Sequence, residues 1–134
     1  MTKYDYAYLA GYTDGEGHFG FTRSSPRFEV TNTCPIVLLK LKTKFGGEVR
    51  LSTVSSKLNR RHAWRYSAHV ASIPKILKKI LPFLVEKKPQ ALLLLEYMSI
   101  AKNAGSSVRK AEIQATIAQL KRISYFPPQQ QQQH

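Results

Sequence analysis

Residues 9–17 (LAGYTDGEG) place three glycines and two acidic side chains at the end of an otherwise good helix. Acidic groups there meet the negative end of the helix macrodipole, each costing roughly 0.3–1 kcal/mol when exposed. Glycine inside a helix costs about 0.5–1 kcal/mol relative to alanine. So many local penalties in so short a run mark a functional site rather than a structural preference. Gly11 and Gly15 lie four apart and share one helix face. Without side chains, that face lets a second backbone approach closely. Tyr4, Tyr8, Leu9 and Tyr12 flank the stripe and are expected to seal the contact around it. Glu16 falls at the helix end beside the Gly15 carbonyl, and both are hard oxygen donors of the kind that Mg2+ or Ca2+ accepts.

A chain of 134 residues allows one domain with a modest core. Lys and Arg total 21 against 8 acids, a formal charge of +13 spread along the chain. That excess is the electrostatic footprint of a polyanionic partner. Membrane attachment is excluded as the reason for it, since no stretch approaches the roughly 20 apolar residues of a spanning helix. The N-terminus lacks the apolar core of a secretory signal. Cys34 is the only cysteine, which rules out an internal disulfide and a thiolate-rich zinc site. The expected compartment is reducing and intracellular, a bacterial cytoplasm or an organelle interior.

A helix followed by two alternating segments appears twice, over residues 4–32 and 34–70. In the first unit Phe19 and Phe21, then Phe28 and Val30, alternate with polar residues across a turn at Arg23, Ser24, Ser25 and Pro26. In the second, Pro35 opens a helix that Gly46 and Gly47 stop. There Val49 and Leu51, then Trp64, Tyr66, Ala68 and Val70, carry the alternation. Ser72 reads as an N-cap for a helix from Ile73 to Leu81. Two further helices are expected over residues 89–101 and 108–124. Residues 1–126 form one domain, and the Pro/Gln-rich residues 127–134 read as a disordered tail.

Three blocks together resemble the LAGLIDADG homing endonucleases: residues 9–17, residues 28–32 (FEVTN) and residues 81–91 (LPFLVEKKPQA). The resemblance implies an α+β fold of αββαββα order, a four-stranded antiparallel saddle sheet with helices on one face, assembled as a homodimer. It implies Glu16, Lys87 and Asn32 as catalytic residues, with Glu16 and the Gly15 carbonyl holding Mg2+, for which Ca2+ is a non-catalytic substitute. The implied reaction is hydrolysis of both DNA strands across the minor groove, leaving short 3′ overhangs. In this sequence Ile36 stands where relatives carry an arginine, and Arg50 and Arg61 are the candidates to replace that charge, with no sequence feature that singles either out.

The polar strand faces fit that function on physical grounds. Arginine reads guanine bidentately, and short polar groups read several base edges. The expected DNA-binding residues are His18, Thr22, Ser24, Arg27, Glu29, Thr31, Arg50, Ser52, Arg61, Arg65, Ser67 and His69. Strands of about seven residues at ~3.3 Å each follow about seven base pairs per subunit. One motif per chain supplies one acid, so double-strand cutting calls for a twofold pair that meets through Tyr8, Gly11, Tyr12 and Gly15. The expected partners are double-stranded DNA, a second copy of the chain and, in the alternative reading, intron RNA. That alternative is an RNA-binding maturase or an inactive DNA-binding protein of the same fold. Asp14 is expected to satisfy backbone groups near the helix end.

Overall fold

The computed structural model describes residues 1–55, 60–100 and 107–122, with the backbone alone at residues 53–55, 60 and 61. The chain runs α1 (Lys3–Glu16), β1 (Gly17–Thr22), β2 (Ser25–Asn32), α2 (Ile36–Phe45), β3 (Glu48–Ser55), β4 (Arg60–Ser67), α3 (Ile73–Ile80), α4 (Lys88–Ser99) and α5 (Ser107–Leu120). Short 3-10 turns occupy Val70–Ser72 and Leu81–Phe83. The strands form one antiparallel sheet of order β1-β2-β4-β3. Each helix-strand-strand unit therefore gives its second strand to the middle of the sheet and its first to an edge.

Alternation decides which side of the sheet is dry. Phe19 stacks on its cross-strand partner Phe28 at 5.2 Å between ring centroids. Val30 and Tyr66 continue that buried face, and the helices cover it with Leu9, Ala10, Leu38, Leu41, Ile76, Leu77, Leu94, Ile113 and Ile117. Full burial of each large aliphatic or aromatic side chain favours folding by about 1.5–3 kcal/mol. The opposite face carries the polar set and no helix core.

Local chemistry sets the boundaries. Thr2 caps α1: its Oγ1 accepts from the Asp5 N–H at 3.2 Å, and the Asp5 carboxylate accepts from the Thr2 N–H at 2.9 Å. Lys40 on α2 donates to Asp5 at 3.2 Å and ties the two helices together. Gly46 (φ +73) and Gly47 (φ +97) stop α2 in a conformation that side chains resist, and Tyr66 locks it by donating to the Gly46 carbonyl at 2.7 Å. Ser72 does not cap α3 as expected. Its hydroxyl donates instead to the Phe45 carbonyl at 2.9 Å. Leu51 keeps the apolar phase but is 55% exposed, because the long β3–β4 hairpin outruns the helices beneath it. Residues 101–106 and the tail at 127–134 lie outside the described residues. Among the described residues no helix is long and apolar enough to cross a membrane.

The β1–β2 connection is a two-residue turn, since Thr22 pairs with Ser25. Arg23, at its first position, has φ +59, and Ser24 does not share the positive sign, the pattern of a type II′ turn that favours glycine at that place. Arg23→Gly is expected to relieve this strain and raise the melting temperature by about 2–4 °C. Thermal denaturation followed by circular dichroism checks it, and an unchanged or lower midpoint contradicts it.

Candidate active site

The end of α1 and the start of α4 are stapled together by Asp14. Its carboxylate accepts from the Val85 N–H at 2.8 Å and the Lys87 N–H at 2.9 Å, so the acid serves backbone groups, as the sequence suggested. This fixes Lys87 at the N-cap of α4, where its amine donates to the Gly17 carbonyl at 2.6 Å. A lysine at a helix N-terminus faces the positive end of the macrodipole, a second local rule broken at one place. Burial pushes the Lys87 ammonium below its ordinary range, while the charges of Asp14, Glu16 and Glu86 oppose that shift. Gly17 is both the C-cap of α1 and the first residue of β1. A Cβ there would lie 2.5 Å from the Thr13 carbonyl, so helix passes into strand without a loop only because the position is glycine.

Asp14→Ala removes two charge-assisted bonds to main-chain donors and is expected to lower stability by about 2–3 kcal/mol. Urea denaturation measures it, and a loss under about 0.5 kcal/mol contradicts the staple.

Glu16 and Gly15 are exposed at the tip of α1, one residue from the carbonyl that holds Lys87. A carboxylate and a main-chain carbonyl are suitable donors for Mg2+. Among the described residues no group of three or more His, Cys, Asp or Glu side chains surrounds a possible ion.

The glycine face above Glu16 is open. A Cβ at Gly11 or Gly15 would meet nothing within 4 Å. Tyr8 and Tyr12 border the face with ring centroids 5.0 Å apart, and with Ala7, Gly11, Gly15 and Glu16 they line a shallow depression. One of the flanking residues is placed differently from expectation: Leu9 turns into the chain's own core, while Tyr4, 82% exposed at the helix start, stays on the surface.

Asn32 is buried on the helix side of the sheet, in phase with Phe28 and Val30. Its amide is already engaged: Nδ2 donates to the Tyr8 hydroxyl at 3.3 Å and Oδ1 accepts from the Cys34 N–H at 3.0 Å. Through Tyr8 it is tied to the glycine face of α1.

The polar sheet face assembles most of the expected DNA-binding set. Register aligns His18 with Glu29, Glu29 with Ser67, and both Thr31 and Arg50 with Arg65. Arg27 pairs with Glu29 at 3.1 Å and donates to Thr22 at 2.9 Å, while Ser67 donates to Glu29 at 3.2 Å. Arg50 pairs with Glu48 at 2.7 Å. Exposed pairs of this kind contribute only about 0–1 kcal/mol, so an anionic partner can rearrange them. Arg50 directly opposite Arg65 is unfavourable until a polyanion covers both. Ser52 continues this face next to Arg50. Ser24 sits at the hairpin tip, where its carbonyl accepts from Tyr97 at 2.7 Å.

Two placements correct the sequence reading, and the Arg61 side chain lies outside the described residues. β4 ends at Ser67, so His69 is not a strand residue; its ring lies over Gly46, where a Cβ would come within 2.8 Å of it. Arg50 lies on β3, the edge opposite β1, and does not replace a missing charge beside Glu16. The backbone of Arg61 pairs with Val54. Two residues next to Lys87 escaped the sequence reading. Gln90 and Lys121 line the same cleft, and each extends an apolar stripe: Gln90 precedes Leu94 and Tyr97, and Lys121 follows Ile113 and Ile117. A polar residue in phase with a buried stripe was the available signal.

No family model and no curated protein sequence matches the chain. Solved structures do. The homing endonuclease I-CvuI, in complex with its target in the presence of calcium, superposes with a TM-score of 0.65 at 20% identity, covering 93% of this chain and 87% of its own. The chain has the homing-endonuclease fold. A second structure of I-CvuI, with the I-CreI target in the presence of magnesium and the DNA not cleaved, gives 0.58 at 17% identity over 94% and 89%. The archaeal intron-encoded homing endonuclease I-Vdi141I complexed with DNA gives 0.64 at 17% identity over 95% and 91%. The homing-endonuclease fold thus extends over nearly the whole chain.

Proposed function

We propose that this chain is a homodimeric, site-specific DNA endonuclease that makes metal-dependent double-strand breaks in a long, pseudo-palindromic site. The observation that carries the reading is the corner where α1 ends. An exposed Glu16 stands there beside a Lys87 that is anchored on the Gly17 carbonyl, at the edge of an Arg-bearing polar sheet. Both named neighbours were solved with DNA, which supports a duplex as the partner of that sheet.

Glu16 and the Gly15 carbonyl would hold Mg2+, with Ca2+ as a substitute that supports binding without cutting. When bound, the ion supplies Lewis-acid charge and lowers the pKa of a water. The chain's own groups do the rest. The sheet grips the duplex through Arg27, Arg65 and their polar neighbours. The Lys87 ammonium offsets charge that develops on the phosphate as water attacks phosphorus and the 3′-oxygen leaves. Asn32 holds the Tyr8 hydroxyl and so fixes the wall of the helix face beside Glu16. Two copies meeting through Tyr8, Gly11, Tyr12 and Gly15 provide one Glu16 for each strand.

Cleavage selection on a randomised duplex library tests this. The expected result is double-strand cutting in Mg2+, binding without cutting in Ca2+, no cutting in EDTA, and an enriched site with twofold symmetry. Retained binding with no cut in any metal contradicts the enzyme, and an asymmetric site contradicts the homodimer.

A further inference from the structure

The cleft beside Lys87 contains more than the proposed reaction uses. Its volume is about 370 Å³, and its walls include Gly17, His18, Glu86, Lys87, Gln90 and Lys121. Lys121 arrives at the C-terminal end of α5, and its Nζ lies 3.5 Å from Nε2 of His18 on β1. Gly20 makes the approach possible. A Cβ there would lie 2.7 Å from His18 Nε2 and 3.1 Å from Lys121 Nζ, so the two groups fill the space over the strand that a side chain would take. Lys121, just past the end of α5, thus lies over β1 at Gly20, whose cross-strand partner is Arg27.

Three basic groups converge there at a cost. Burial and the Lys87 charge push the Lys121 ammonium down, and burial and the Lys121 charge do the same to His18. An anion in the cleft answers that cost: its oxygens accept from the Lys121 ammonium and from a ring N–H of His18, beside the positive charge of Lys87.

We propose that Lys121, with His18, forms a phosphate subsite beside Lys87 that grips a DNA backbone phosphodiester flanking the one that is cut. This rests on the endonuclease reading, and it makes Lys121 a substrate-positioning residue supplied by the last helix.

The first arm of the test uses the full chain with inorganic phosphate and follows the His18 ring by NMR. The ring signals are expected to shift in wild type and in Lys121→Arg, but not in Lys121→Gln or Gly20→Ala. The second arm measures duplex binding against salt in EDTA, where no cutting occurs. Lys121→Gln is expected to make the slope of log K against log [salt] shallower by about 0.9 per subunit, with Lys121→Arg restoring it and Lys78→Gln, on the exposed side of α3, leaving it unchanged. A His18 ring that ignores phosphate overturns the proposal. So does a duplex slope that Lys121→Gln leaves intact, since the cleft would then bind free phosphate and not DNA. Neither arm requires cleavage, so failure of the endonuclease reading shows separately, as absence of cutting by wild type.

Discussion

Glu16→Gln is expected to abolish strand cleavage in Mg2+, by about 10^3-fold or more, and to leave duplex affinity in Ca2+ within about threefold. The substitution keeps shape and removes one charge from a site whose work is charge stabilisation, where loss of a single group costs on the order of 10^2–10^3. Binding should be spared, because the proposed duplex surface is the sheet and not the helix tip. A second consequence separates this from simple damage. Among the described residues no hydrogen bond or ion pair holds the Glu16 carboxylate, and it sits at the unfavourable end of the α1 macrodipole. Neutralising it should therefore raise stability by about 0.3–1 kcal/mol. A variant that is more stable and inactive is the signature of an acid kept for function against the preference of its helix. Cleavage of a selected target and chemical denaturation, run on one preparation, measure both. Wild-type cutting by Glu16→Gln would remove the acid from the mechanism.

The elements of this fold were legible because they are periodic. Alternation in β1, β2 and β4 identified the dry side of the sheet, whereas Asn32 was read from the resemblance as catalytic, and the structure buries it in phase with Phe28 and Val30. The same alternation misplaced Leu51 and His69. Both keep the phase, but β3 runs past its helical cover at Leu51, and at His69 the chain leaves the sheet for a 3-10 turn. Periodicity reports which side a residue faces, not whether another element lies over it. The site was half legible for a similar reason. Glu16, Gly15 and Gly11 betray themselves by violating helix rules within a few residues of one another. The contacts that organise them are remote in sequence: Asp14 with Lys87, Lys87 with Gly17, Lys121 with His18. No local rule links such positions, so a structure was needed to show that the end of α5 arrives beside β1.

The glycine face yields the other large effect. Paired substitution of Gly11 and Gly15 by leucine is expected to leave a folded monomer that no longer makes double-strand breaks. Among the described residues nothing requires glycine at either place, because a Cβ at each would meet nothing within 4 Å. Replacing glycine in mid-helix by a better helix former should gain up to about 1 kcal/mol per position. Their presence therefore makes physical sense only if another backbone comes close, and the depression bordered by Tyr8 and Tyr12 offers the place. Two chains together carry +26, twice the +13 of one, so close apolar packing must outweigh mutual repulsion unless DNA is bound. Leucine side chains at the contact would hold the helices apart. Sedimentation should change from dimer to monomer, helical circular dichroism should hold or rise, and cutting of a supercoiled target should fall to nicking or stop. If the leucine variant remains dimeric and cuts both strands, the two chains meet through some other surface, and the pairing of Glu16 with its copy loses its basis.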